Sequence, residues 1–186
     1  MLKVISAAKF EVTHFLEALN DKSVDHEYIE LGVGVFESLK TVHQKIALFK
    51  DSKVIFIGSC GTQYEFQAPE TFEIQKLSWL PLAERTSEAH RIEGCDPELN
   101  LGTITTLPKR HVVCSSNLSL SNKGLKQDQV ENIETYGVVR ALLPTTKNIH
   151  VFLTSTNQVG PKGHDQWVQH FKNAASVVAS DLSSIL

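Results

Sequence analysis

The sequence predicts an α/β fold with at least part of its sheet parallel. Short apolar runs of strand length alternate with segments of helical periodicity along the chain. Four apolar runs each lead into small or polar residues, the pattern expected where strands of an open sheet end at a shared ligand crevice. The 186 residues, 41% apolar and 21% charged, suit one globular domain spanning residues 1–186, with a core large enough to leave a pocket.

Leu2-Lys3-Val4-Ile5 reads as the first strand and ends at Ser6-Ala7-Ala8. Glu11 to Asn20 then places Val12, Phe15, Leu16 and Leu19 on one helical face. Tyr28 to Leu31 reads as a strand leading into Gly32-Val33-Gly34, and Phe36 to Phe49 carries helical spacing through Leu39, Val42, Ile46 and Leu48. Val54 to Ile57 is apolar throughout, as an interior strand covered on both faces requires, and ends at Gly58-Ser59-Cys60-Gly61.

Between Thr62 and Lys109, strand character is confined to Phe72–Ile74 and Ile104–Thr106, while Pro69, Pro81, Pro97 and Pro108 interrupt any long element. His111 to Cys114 reads as a core strand ending in the turn Ser115-Ser116-Asn117. Ile133 to Leu143 has helical spacing and stops at Pro144. Ile149 to Leu153 is a strand ending at Thr154-Ser155-Thr156-Asn157, and Gln166 to Leu182 a final amphipathic helix.

A formal net charge of −3 gives no electrostatic reason to expect a nucleic acid or an anionic membrane as partner. No apolar run approaches the length of a membrane span. Cys60, Cys95 and Cys114 are odd in number and widely spaced, which argues against a disulfide framework and a zinc site. His14, His43, His111 and His164 lack metal-ligand spacing, so no metal and no cofactor are expected. With a start, MLKVISAAKFEV, that does not read as a signal peptide, the expectation is a reduced cytoplasmic protein.

In order along the chain, five segments resemble those of the nucleoside phosphorylase/nucleosidase superfamily. Ser6 to Val12 resembles the opening of methylthioadenosine/S-adenosylhomocysteine nucleosidases, where a small-residue turn leads to a catalytic glutamate. Gly32-Val33-Gly34 is similar to their glycine-containing loop, and Ile57-Gly58-Ser59-Cys60-Gly61 to their Gly-Ser-Ala-Gly turn. Val130-Glu131-Asn132-Ile133-Glu134 is similar to the Met-Glu segment whose glutamate holds the ribose hydroxyls. Thr154-Ser155-Thr156-Asn157, with Trp167 downstream, resembles the Ser-Ile-Ser-Asn segment of futalosine hydrolases; most relatives carry Ser-Asp there. The resemblance spans Leu2 to about Ala179 and implies a three-layer, phosphorylase/hydrolase-like fold, a mixed β-sheet flanked by helices. It also implies a homodimer, and trimmed loops between Thr62 and Lys109.

Hydrolysis of a ribose–purine bond needs a carboxylate to activate water and a polar partner for the departing base. On the resemblance, Glu11 is the general base and Glu134, preceded by Ile133 where the family has methionine, accepts hydrogen bonds from the ribose hydroxyls. Glu131 is a near neighbour with the same chemistry. Ser59 orients the water or a neighbouring group. Asn157 stands where an aspartate would deliver a proton to the base; an amide fixes orientation without acting as an acid, which suits a hypoxanthine-type base better than adenine. Asn117, Ser119 and Leu120 fall in the base-binding segment, with Ser119 in the approximate place of a stacking aromatic.

Phosphorolysis normally needs arginine in a phosphate cradle. Arg85, Arg91, Arg110 and Arg140 all lie away from the Ser6, Gly32 and Gly58 segments in sequence, so water is the expected nucleophile. The implied activity is a futalosine-hydrolase-like purine nucleosidase acting on a small-molecule purine nucleoside. The alternatives are a methylthioadenosine/S-adenosylhomocysteine-type nucleosidase, and a weakly active nucleoside-binding member, to which Thr135-Tyr136 points.

Overall fold

The computed structural model describes residues 1–87, 98–115 and 117–183; Arg91, Cys95, Pro97 and Ser116 lie outside the described residues. The strands are β1 (Leu2–Ser6), β2 (His26–Glu30), β3 (Lys53–Thr62), β4 (Thr71–Trp79), β5 (Glu98–Asn100), β6 (Lys109–Cys114), β7 (Gln129–Asn132) and β8 (Ile149–Gln158). The helices are α1 (Thr13–Asp21), α2 (Val35–Gln44), α3 (Leu82–Arg85), α4 (Thr135–Leu142) and α5 (Gly163–Leu182).

Among the described residues, the eight strands join one mixed sheet in the order β2-β1-β3-β7-β6-β4-β5, with β8 paired to both β3 and β4. Strands β1, β2, β3 and β8 run parallel, whereas β3 meets β7, and β4 meets β8, antiparallel. Because β7 pairs β6 and β6 pairs β4, the pairings β3-β7-β6-β4-β8 return to β3 and close a ring.

The period-two alternation of the central strands sorts the apolar residues into two layers. Val4, Ile55, Ile57 and Phe152 pack against Val12, Phe15 and Leu19 of the α1 segment and Val178 and Leu182 of α5. Ile5, Val54, Phe56, Val151 and Leu153 belong to the other cluster, with Val42 of α2 and Val138, Val139 and Leu142 of α4. A sheet covered on both faces is the three-layer arrangement expected from the sequence. No helix among the described residues is long and apolar enough to cross a membrane.

Local expectations differ from the structure in several places. Gly58–Gly61 and Thr154–Asn157 are not turns: both continue their strands, because β3 and β8 pair from Val54↔Ile149 to Thr62↔Gln158. The register slips between Cys60 and Gly61, where Thr156 is the extra residue. Ladder pairing here overrides the low strand preference of small residues. At Gly61 an added Cβ would stand 2.7 Å from Val159 Cγ2 and 2.9 Å from Asn157 Nδ2, so the close approach at the slip needs glycine.

Ile104–Thr106 is not a strand. The Ile104 and Thr105 amides donate to the Glu73 carboxylate, at 2.6 and 3.0 Å, instead of to a neighbouring strand. The first helix begins at Thr13, with Lys9–Glu11 forming a separate 3-10 turn. The second stops at Gln44, and Ile46–Phe49 forms another such turn. Before α4 the chain forms the polar strand β7, which carries no apolar alternation to announce it.

Candidate active site

Strand β1 ends at Ser6, whose Oγ donates to Ala8 O at 2.8 Å and ties the following turn back. That turn places Glu11 beside β3, the parallel neighbour of β1. Glu11 Oε1 accepts from the Ser59 amide at 3.1 Å and from Ser59 Oγ at 2.9 Å, and Oε2 accepts from the Ala8 amide at 3.3 Å. The Trp167 indole N–H of α5 donates to Ser59 Oγ at 3.1 Å.

Glu134 is the residue before α4, and it is buried. Its Oε1 accepts from the Gly34 amide at 2.9 Å, and its Oε2 from Asn132 Nδ2 at 3.1 Å. Gly34 has φ of 91°, a left-handed conformation that glycine adopts without strain. The Gly32 amide donates to Ala7 O at 3.0 Å, so the loop that reaches Glu134 also lies against the turn that carries Glu11.

Asn132 joins the two halves. Its Oδ1 accepts from the Glu134 and Thr135 amides at 2.9 and 2.8 Å and from the Thr135 hydroxyl, as a cap of the helix start does. That leaves Nδ2 to donate twice, to Glu134 Oε2 and to Ser59 O at 3.1 Å. The sequence Glu11–Ser59–Asn132–Glu134 is therefore one connected hydrogen-bonded unit. Asn132 was not singled out from the sequence; an asparagine just ahead of a helix is the signal that marks it.

Burial, then the neighbouring Glu134 carboxylate, push the Glu11 carboxyl up to about 7, against the hydrogen bonds from Ser59 and Ala8. Burial also raises Glu134, against the bonds from Gly34 and Asn132. Restricted solvent holds both acids above the ordinary carboxylate range, and at Glu11 the neighbouring carboxylate adds to it. A cavity of about 10 Å³ lined by Glu11, Gly58, Ser59, Thr154 and Phe171, among others, lies toward α5, and it approaches the space one water needs.

The remaining site residues expected from the sequence have other surroundings. Asn157 Oδ1 accepts from Thr156 Oγ1 at 2.9 Å and its Nδ2 donates to Gln158 O at 3.1 Å, so its amide is bonded to its own neighbours. Asn117 and Leu120 are exposed, and Ile133 is partly buried. Ser119 is buried and faces Glu131: its amide donates to Glu131 Oε2 at 3.1 Å and its hydroxyl to Oε1. Arg85 Nη2 donates to both, at 2.7 Å to Ser119 Oγ and 3.1 Å to Glu131 Oε1. Glu134, preferred on the resemblance, and its neighbour Glu131 thus have different surroundings: Glu131 pairs with Arg85, and Glu134 lies beside Glu11. Tyr136 packs at 6.0 Å from Trp79, ring to ring.

No protein-family model matches the sequence, and no curated protein matches it. Solved structures match it across nearly its whole length. The 5'-methylthioadenosine/S-adenosylhomocysteine nucleosidase of Helicobacter pylori, complexed with a pyrrolidinol ligand, superposes with a TM-score of 0.78 at 14% identity, covering 98% of this chain and 96% of that one. The native futalosine hydrolase of H. pylori strain 26695 gives 0.78 at 14% identity over 98% and 95%. The corresponding nucleosidase of Streptococcus pneumoniae, in complex with 8-aminoadenine, gives 0.77 at 12% identity over 98% and 96%. The chain has the fold of these proteins.

Proposed function

We propose that the chain hydrolyses the N-glycosidic bond of a purine nucleoside, with Glu11 as general base and Glu134 as the acceptor for the ribose hydroxyls. The observation that carries this reading is the hydrogen-bonded unit in which Ser59 and Asn132 hold both carboxylates together. Glu11 takes a proton from water as the water oxygen bonds to the anomeric carbon; the glycosidic electron pair leaves with the base, which takes a proton from a solvent water. A carboxylate poised near pH 7 suits a base at neutral pH, and two acids facing one sugar stabilise the positive charge that builds on it.

Water is favoured over phosphate as nucleophile. Among the described residues, Arg85 is engaged with Glu131 and Ser119, Arg110 sits 4.7 Å over the Phe72 ring, and Arg140 is exposed on α4. The fold shared with solved nucleosidases supports the same chemistry. Asparagine at position 157, which cannot deliver a proton as an acid, favours a hypoxanthine-type, futalosine-like substrate over an adenine nucleoside. Asn117, Ser119, Leu120 and Ile133 complete the proposed contacts to base and sugar, in a single-domain cytoplasmic homodimer.

The test is a panel of inosine-type and adenine-type nucleosides, including 5'-substituted ones, followed by chromatography with and without phosphate. Free base and free sugar should appear at rates independent of phosphate. Glu11→Gln should lower turnover by roughly 10²–10⁴-fold, the usual worth of a general base. Hypoxanthine release identifies the futalosine-like reading and adenine release the methylthioadenosine-type alternative. Undiminished turnover by Glu11→Gln, or no base from any nucleoside, overturns the assignment.

A further inference from the structure

Helix α5 lays Trp167 into an aromatic stack beside Glu11. Its ring lies 5.8 Å from Phe10 and 5.3 Å from Phe171, with His164 stacked on it at 5.9 Å. These contacts fix the plane of the indole, and hence the direction of its single N–H. That N–H meets Ser59 Oγ at 3.1 Å, and Ser59 Oγ lies 2.9 Å from Glu11 Oε1.

With Glu11 ionised, the chemistry of the three groups leaves one arrangement. An indole N–H donates and never accepts, an ionised carboxylate accepts and never donates, and a serine hydroxyl has one proton to give. With one lone pair of Ser59 Oγ taken by the indole, its proton goes to Glu11. We propose that Trp167 is a positioning residue for Glu11: by occupying the acceptor side of the Ser59 hydroxyl, it commits the only proton of that hydroxyl to the Glu11 carboxylate.

This inference rests on the reading of Glu11 as the base and adds a residue outside the reacting groups. The Ser59 hydroxyl acts to lower the Glu11 carboxyl, while burial and Glu134 act to raise it. The titratable groups around Glu11 are Lys9 on its own turn, Tyr28 on β2, Glu134 at the start of α4, and His164 of α5 stacked on Trp167. A protonated Glu11 that donated to Ser59 Oγ would take its second lone pair and turn the Ser59 proton away from the carboxylate. The Trp167 bond therefore favours the ionised form that a base requires.

Trp167→Phe keeps an aromatic ring in the stack and removes the N–H. The measurement is the titration midpoint of the Glu11 carboxyl by carbon NMR of glutamate-labelled protein without substrate, its signal assigned by loss in Glu11→Gln. The midpoint should rise by about one pH unit in Trp167→Phe, a tenfold change in proton affinity. Ser59→Ala should raise it as well, and adding Trp167→Phe to Ser59→Ala should change nothing further, because both act through one bond. In the active enzyme the acid limb of kcat/KM should move to higher pH by the same amount.

An unchanged or lowered midpoint in Trp167→Phe, or full additivity of the two substitutions, overturns the proposal. The titration needs no turnover, so it decides the role of Trp167 even if the nucleoside panel fails. Should Trp167→Phe fold poorly, exchange of the Trp167 indole proton with solvent tests the same bond. It should be slower in the wild type than in Ser59→Ala, and equal rates refute the proposal.

Discussion

Glu11 carries opposing influences that can be separated by pH. Burial and the Glu134 carboxylate lift its carboxyl from 4.5 to about 7, while Ser59 and Ala8 donate to it. The folded chain then holds a proton that the unfolded chain has already released between these two values. Stability from this group is present in full below pH 4.5 and is lost as pH rises toward 7. Glu11→Gln removes the titration, so the stability of wild type relative to the variant should decline from pH 5 to pH 8 in urea unfolding series. Parallel curves, or a gap of opposite slope, would contradict the account. At this scale the sequence is informative where a residue's type limits its chemistry. The resemblance named Glu11 after its small-residue turn and preferred Glu134 to Glu131 because Ile133 precedes it, but no local pattern says what surrounds either of those two neighbours. What separates them is the element each belongs to: Glu131 lies on β7, Gln-Val-Glu-Asn, buried throughout with only one apolar residue, whereas Glu134 stands at the start of α4 and accepts from Gly34.

The elements that apolar runs announce, β1, β3, β6 and β8, are those packed on both faces by helices or neighbouring strands. Elements stabilised by polar pairing are silent in that code. The segment Ile104–Thr106 shows the converse: β-branched residues suggest a strand, but the backbone is claimed by a side chain. Glu73 is fully buried on β4 and collects the Ile104 and Thr105 amides, the Thr105 hydroxyl at 2.7 Å and the Lys109 ammonium. Burial works to raise its carboxyl, but the bonds from Lys109, Thr105 and Ile104 together bring it below its ordinary value. Glu73→Ala strands two amides and a cation, and should cost about 3 kcal/mol at pH 7, on the scale of breaking a buried pair. A depressed carboxyl contributes above its unfolded value and loses that contribution as pH falls through the folded one. The difference between wild type and Glu73→Ala should therefore shrink below pH 4.5. Denaturant midpoints across pH 3–7 measure it, and a gap that widens in acid would refute the role given to Glu73.

Alternation of strands and helices was enough to anticipate an α/β molecule with a partly parallel sheet, and the family resemblance implied its three layers. The ring closure was not, since the return of β7 antiparallel against β3 joins residues about 70 apart and leaves no local trace. That closure brings Asn132 to the carbonyl of Ser59, and so couples two carboxylates that chain order keeps more than a hundred residues apart. The folded molecule thus holds two acids whose charges disfavour each other, and a positive charge placed between them offsets the repulsion. A nucleoside analogue with a protonated pyrrolidine in place of ribose carries that charge permanently, whereas a nucleoside acquires it only on the way to bond cleavage. The analogue should bind at least about 100-fold more tightly than the matching neutral nucleoside. Its cation also favours the ionised form of Glu11, so binding at pH 6 should release a proton, while binding at pH 8 should release almost none. Calorimetry at both pH values, in buffers of different ionisation enthalpy, reads affinity and proton count together. Equal affinity for charged and neutral ligands, or proton release independent of pH, would mean that the two carboxylates do not act on one sugar.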